Sequence, residues 1–248
     1  MGEPILALKN VSFSAQRESI IRDISFQYME GKTTALIGPS GGGKSTALKL
    51  SAGLLLPTQG EARFRGRNIA AMTRSQNRDF RQEGAVVFQD SALWANQDIY
   101  QNLELPLLAR FPKMGARERD ERIKAAAAQV GYRRSLAIRP ANLSMGEQKL
   151  IGFARALLCR PTLLFLDEWT ESLDDEAAGR LVGIVRQFQA QGGTLIFVSH
   201  DLKLIEYLAD FVVMIKGGRV SAVLAGSDVA EKKLLDRMNQ PLQEKEPE

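Results

Sequence analysis

The chain has 248 residues, 44% of them hydrophobic and 25% charged, with a formal charge of +4; this suits one large α/β unit or a core with an inserted subdomain. Lys and Arg are spread along the chain, so no basic block marks a nucleic-acid or anionic-membrane surface. No apolar run approaches the roughly 18–20 residues that cross a bilayer, and Met1–Leu6 lacks the basic and apolar regions of an export signal.

Ile5–Phe13 and Ile20–Tyr28 alternate apolar and polar residues, which predicts antiparallel strands of a half-exposed sheet. Thr34–Ile37 reads as a buried strand and Ser45–Leu50 as a helix. Between them, Gly38-Pro39-Ser40-Gly41-Gly42-Gly43-Lys44-Ser45, with Thr46 following, fits G-x-x-x-x-G-K-[ST] at every fixed position. Glycines let successive N–H groups turn inward around a phosphate, and the helix N-terminus adds its partial positive charge. Lys44 is placed to reach the β/γ-phosphates and Ser45 to hold Mg²⁺. The loop predicts a nucleoside triphosphate site and, alone, leaves kinases, GTPases and ATPases open.

Ala62–Phe64 and Gly66–Ile69 continue the first sheet. Short apolar runs at Ala85–Phe88, Leu163–Leu166, Thr194–Val198 and Phe211–Ile215 read as buried strands, with helices at Asp175–Gln191 and Leu202–Leu208. Strands alternating with helices predict a parallel sheet covered on both faces. The stretch from Gln97 to Cys159 carries only helical patterns, at Gln101–Arg110, Ala116–Val130 and Glu147–Leu158. The single cysteine, Cys159, excludes an internal disulfide and reads as core. A last helix is expected at Ala230–Met238, before the charged tail Gln240–Glu248. These elements place an α/β core with an antiparallel β subdomain at 1–96 and 160–228, a helical insert at 97–159, and a C-terminal helix and tail at 229–248.

Further motifs narrow the chemistry. Leu163–Leu166 runs into Asp167 and Glu168, one carboxylate to hold Mg²⁺ and one to polarise an attacking water. Leu143-Ser144-Met145-Gly146-Glu147-Gln148 opens a helix that Ser144 can cap. His200, the one histidine, and Gln89 each follow a strand, at the carboxyl ends where open α/β sheets place ligands.

In this order and spacing the set resembles the ATP-binding cassette (ABC) ATPases over roughly Ile5 to Leu224. Gly38–Ser45 stands as Walker A, Gln89 as Q-loop, Leu143–Gln148 as signature motif, Leu163–Glu168 as Walker B, Leu173-Asp174 as D-loop and His200 as switch histidine. The resemblance implies a P-loop NTPase (RecA-like) core and two copies stacked head to tail around ATP and Mg²⁺. Ser144 and Gly146 would then bind the γ-phosphate of the ATP held by the other copy's Lys44. Glu168 would activate water and His200 would contact the γ-phosphate. Gln89 would join Ser45 and Asp167 at Mg²⁺ and link the site to a membrane permease, while Asp174 would tie the two sites together.

The chain departs from that pattern at four places. An adenine-stacking aromatic is missing near Ala15, leaving Arg17 to cover the base, for ~1 kcal/mol. Met145 replaces a signature glycine, Trp169 the proline after the catalytic glutamate, and Glu171 the D-loop serine. The last two are read as drift in a tolerant loop. One uninterrupted cassette without heptads or a basic block favours a transporter ATPase on the cytoplasmic membrane face over a soluble ABC protein acting on DNA or ribosomes; no direct nucleic-acid contact is expected. Phe88-Gln-Asp-Ser-Ala-Leu-Trp94 and Ile99–Leu103 are similar to the Mla/Mce-type lipid-transport ATPases. That likeness implies phospholipid as cargo and lipid-binding accessory subunits, with a non-lipid transporter as the alternative.

Overall fold

The computed structural model describes residues 4–230 and 233–236. In chain order the elements begin with β1 (Pro4–Ala15), β2 (Glu18–Met29), β3 (Thr33–Ile37), α1 (Lys44–Ser51), β4 (Gln59–Phe64) and β5 (Arg67–Asn68). They continue with α2 (Arg74–Glu83), β6 (Gly84–Val87), α3 (Ile99–Arg110), α4 (Ala116–Gln129), α5 (Met145–Leu157), β7 (Leu163–Asp167) and α6 (Asp175–Ala190). β8 (Thr194–Val198), α7 (Leu202–Leu208), β9 (Phe211–Lys216) and β10 (Arg219–Ala225) follow. Two compact units result, Met1–Asn77 with Thr194–Glu248, and Arg78–Gly193.

In the first unit an antiparallel sheet runs in the order β2-β1-β4-β5. Its apolar alternation holds along β2, where Ile24, Phe26 and Tyr28 are buried and their neighbours face water. β1 obeys it only in part: Ile5–Leu8 are all buried, and the register then shifts between Leu8 and Val11. Asn10 takes a φ of 48° there; an extra residue at such a bulge moves the following side chains to the other face. The second group of strands has the order β10-β9-β3-β8. β3 is buried along its whole length and pairs parallel with both β8 and β9. Such a strand has no wet face, which is why its sequence, Thr-Thr-Ala-Leu-Ile, carries no charge. The Tyr28 hydroxyl shares a buried hydrogen bond of 2.9 Å with Ser51 Oγ, tying β2 to α1.

In the second unit β6 and β7 pair parallel, Val87 opposite Leu166. α5 packs against β6, α3 and α4. A capping box of Asp98 and Gln101 starts α3, and another of Ser144 and Glu147 starts α5. Asn102, buried in α3, accepts from Trp94 N at 2.8 Å and donates to Trp94 O at 3.1 Å, fixing the loop before that helix.

Three expectations change. β10 and α2 were not foreseen. Cys159 falls beyond α5 and is only part-buried, lining a cavity of about 700 Å³ with Arg78, Arg81 and Arg110. It is therefore not a core residue. Of the helix expected at Ala230–Met238, residues 233–236 are helical, while 231–232 and 237–238 lie outside the described residues.

Candidate active site

The phosphate loop occupies the interval between the end of β3 and the start of α1. Gly38 has a φ of 141° and Gly43 a φ of 101°. A Cβ at Gly38 would collide with the carbonyl of Ile215 in β9, and one at Gly43 would lie 2.7 Å from Ile21 Cδ1. Both positions therefore require glycine for space and conformation together. Gly218 N donates to Gly42 O at 3.1 Å, so the turn between β9 and β10 tethers the loop. Gly43 caps α1 without a side-chain hydrogen bond, and the amides of Gly41 and Gly43 have no acceptor among the described residues. Uncapped amides at a helix N-terminus suit phosphate oxygens. Lys44 is buried, with Nζ donating to Gly38 O at 3.0 Å and Pro39 O at 2.9 Å. Ser45 and Thr46 are half-buried in the first turn. Leu36 pairs with Val198, so Gly38 and His200 each stand two residues past a paired position; His200 is exposed.

The second unit brings Gln89, Ser144, Gly146, Asp167, Glu168 and Asp174 onto neighbouring segments. The register of β6 and β7 sets Gln89 and Glu168 each two residues beyond the Val87–Leu166 pair. Asp167 is 2% exposed and Glu168 half-buried. Glu168 adopts a φ of 45°, a left-handed conformation that costs a non-glycine residue about 1–2 kcal/mol. Lys149 Nζ donates to its carbonyl at 2.7 Å. Gln89 Nε2 donates to Glu171 Oε2 at 3.2 Å. Arg155 steadies the loop after Gln89, donating to Ser91 O and Ala92 O, each at 2.8 Å. Those two residues also have positive φ, 62° and 45°.

Ser144 Oγ accepts from Glu147 N at 3.1 Å, and Glu147 Oε2 accepts from Ser144 N at 2.9 Å. That backbone hydrogen bond holds the Glu147 carboxyl below its ordinary pKa; burial opposes it and Arg134 reinforces it. Accepting the cap leaves the Ser144 hydroxyl proton to donate elsewhere. Gly146 abuts the segment that leads into α6, where a Cβ would lie 3.0 Å from Ser172 O. Asp174 caps α6, accepting from Ala177 N at 2.7 Å.

The departures from the family pattern take on structure. Met145 is 70% exposed. Arg17 is exposed in the β1–β2 turn with a φ of 68°. Trp169, read above as drift, is fully buried and packs on Phe153 with ring centroids 5.7 Å apart. A wedge of that size is an anchor, not a tolerant loop position. Lys149 and the tether at Gly218 escaped the sequence reading, although Gly217-Gly218 is a turn signal.

A family model described as ABC transporter matches residues 21–171. The chain belongs to the ABC transporter family. The nickel import ATP-binding protein NikE of Brucella suis biovar 1 is 34% identical over 232 residues, which is 92% of this chain and 85% of that protein. The L-cystine import ATP-binding protein TcyC of Bacillus subtilis is 29% identical over 221 residues, 86% of this chain and 87% of its own length. A solved dimeric ATP-binding cassette, in a post-hydrolysis state bound to ADP and Pi, superposes with a TM-score of 0.82 at 25% identity, covering 89% of this chain and 98% of that one. The fold is thus the α/β P-loop NTPase fold of an ABC cassette, and the chain is the nucleotide-binding ATPase subunit of an ABC transporter, using ATP and Mg²⁺. Among the described residues no group of three or more His, Cys, Asp or Glu forms a metal cluster. One buried carboxylate and a hydroxyl suit Mg²⁺, which keeps several waters and takes its remaining ligands from substrate phosphates. Ser45 in the first unit, and Asp167 and Gln89 in the second, are the groups the sequence offers for it, and it would supply charge neutralisation at the phosphates.

Proposed function

We propose that two copies of this ABC ATPase close head to tail around ATP and drive a separate membrane permease that imports a small hydrophilic solute. In this reading Gly38–Thr46 of one copy cradle the triphosphate, and Ser144 and Gly146 of the other meet its γ-phosphate. Glu168 is the general base, His200 contacts the γ-phosphate, Gln89 senses the metal and the attacking water, and Asp174 joins the two sites. Residues 97–159 form the helical part that carries the signature. The observation that carries the proposal is the state of the two half-sites in one chain. The loop amides of Gly41 and Gly43 lack acceptors among the described residues, and the signature helix is already capped, with Met145 turned to solvent.

A permease partner is supported by apolar exposure on the second unit. Trp94 is 50% exposed, and Leu105 and Leu108 on α3 are 37% and 42% exposed. Leu105 and Leu108 adjoin in sequence Pro106 and Ala109, which line a groove rimmed by arginines between α2, β6, α3 and the end of α5. Unpartnered apolar side chains beside such a groove mark a protein contact. No helix among the described residues is long and apolar enough to cross a membrane, so membrane work calls for that partner. The names of the relatives, nickel and L-cystine importers, favour the non-lipid alternative over phospholipid cargo and lipid-binding accessory subunits.

Purification of the tagged chain from its own membrane tests this reading. Co-elution with a membrane-spanning protein that stimulates ATP turnover and supports ATP-dependent solute uptake in proteoliposomes is expected. Phospholipid transfer in place of solute uptake would restore the lipid reading. Turnover stimulated by nucleic acid or ribosomes, with no membrane partner, would contradict both.

A further inference from the structure

Lys149 is 4% exposed in α5, whose other buried residues are Ile151, Gly152, Phe153, Ala154 and Ala156. A buried ammonium is costly unless hydrogen bonds and opposite charges compensate it. Its hydrogen bond is the one to Glu168 O at 2.7 Å. The carboxylates acting on it are those of Glu171, Glu168 and Asp167, which oppose the lowering of its pKa by burial. All three belong to the end of β7 and the turn that follows. The gripped carbonyl is that of Glu168, whose φ of 45° is disfavoured unless the surroundings hold it. In the same turn, Trp169 is fully buried against Phe153, four residues along α5 from Lys149. Glu171 meanwhile accepts from Gln89 Nε2 at 3.2 Å.

From this geometry we propose that Lys149 is a positioning residue for ATP hydrolysis: it locks the Glu168 peptide in its left-handed conformation and so aims the carboxylate, while Glu171 links that turn to Gln89. Lys149 acts through Glu168, and the inference rests on the assignment of Glu168 as general base. Small misplacements of a catalytic group lower turnover without weakening ground-state binding. Lys149 should therefore govern kcat and leave nucleotide affinity alone. A lysine that only filled space in α5 would affect folding and binding together.

The test uses the full chain, measuring ATP turnover and equilibrium binding of a non-hydrolysable ATP analogue with Mg²⁺. Lys149→Met keeps the stem and removes the donor; kcat should fall about tenfold, with KM and analogue affinity within about twofold. Lys149→Gln retains an amide donor and should recover part of the loss. A folded Lys149→Met protein whose kcat falls less than about threefold, or whose kcat and analogue affinity fall by one common factor, overturns the proposal. Should Lys149→Met fail to fold, Glu171→Ala decides, because Glu171 is exposed. A fall in kcat of about threefold or more supports the link, and a smaller one overturns it. Glu168→Gln separates the two levels: normal turnover there refutes the general-base assignment, whereas an inactive Glu168→Gln beside an unaffected Lys149→Met refutes only the role of Lys149.

Discussion

The Lys44 ammonium donates to the Gly38 carbonyl at 3.0 Å, so the lysine lies folded over the backbone of its own loop. The side chain is held where the loop curls, and a phosphate entering the loop meets a cation already in position. Charge-assisted hydrogen bonds contribute about 1.5–3 kcal/mol each. Lys44→Ala should therefore weaken binding of Mg²⁺–ATP analogue by about tenfold to a hundredfold in calorimetric titration. Affinity within about threefold of the parent would remove Lys44 from phosphate binding.

Ser144 caps α5 in this structure and meets the second copy's nucleotide in the proposed dimer, and the two roles can be separated. As N-cap of α5 it accepts from Glu147 N, and loss of such a cap costs about 1 kcal/mol. Ser144→Arg removes the cap along with any contact to the second copy's nucleotide, so a loss of activity there is ambiguous. Ser144→Asp keeps a capping oxygen and places a negative charge where the γ-phosphate is expected. Its thermal midpoint should stay near the parent value and nucleotide binding should persist, while ATP turnover collapses. Turnover close to the parent's would place Ser144 outside the composite site.

The same cap predicts an acid-sensitive increment of stability. Glu147 has a folded-state pKa below its ordinary value of 4.5, first because its carboxylate accepts from the Ser144 backbone. A depressed pKa means the ionised form stabilises the fold, fully so above the unfolded value. The increment disappears as pH falls through the lower, folded value. Thermal unfolding followed from neutral pH downward should show a loss below about pH 4.5 that Glu147→Gln lacks, since the amide can cap at any pH. Parallel pH profiles for the two proteins would show that the carboxylate contributes nothing.

Base selectivity should be weak. Ala15 itself offers no ring to stack on adenine, and Arg17 is exposed in the turn after it. Competition of GTP against a labelled ATP analogue should give affinities within about tenfold of each other. A preference of a hundredfold or more would require a base pocket supplied from elsewhere.

Much of this site is legible in the chain because its chemistry is local. The phosphate loop needs glycines, a lysine and a hydroxyl at fixed spacing, and each side of it announces a strand or a helix. The buried strands β3, β7 and β8 are equally plain, since parallel strands without a wet face are mainly apolar, and no charge interrupts these three before the Asp167 that ends β7. α2 was hidden because Arg-Ser-Gln-Asn-Arg-Asp-Phe-Arg-Gln-Glu offers one apolar residue, Phe80, and no repeating face. β10 was hidden because it pairs with β9 alone and leaves Val223 56% exposed. Lys149 looked like any helical lysine. Its burial, and the carbonyl it grips, depend on how the turn after β7 packs against α5, and no spacing within α5 encodes that contact. Trp169 was misread for a similar reason, since its role depends on Phe153, sixteen positions earlier in the chain.

The central claim is that the nucleotide site is complete only when two copies meet. Light scattering of the Glu168→Gln chain with Mg²⁺ and ATP tests this most directly, because a base-deficient site holds its triphosphate. A site shared between two copies gives the mass of one chain without nucleotide or with ADP, and of two chains with ATP, reverting to one when Ser144→Asp is added. A chain that binds ATP and keeps the mass of one copy would contradict it.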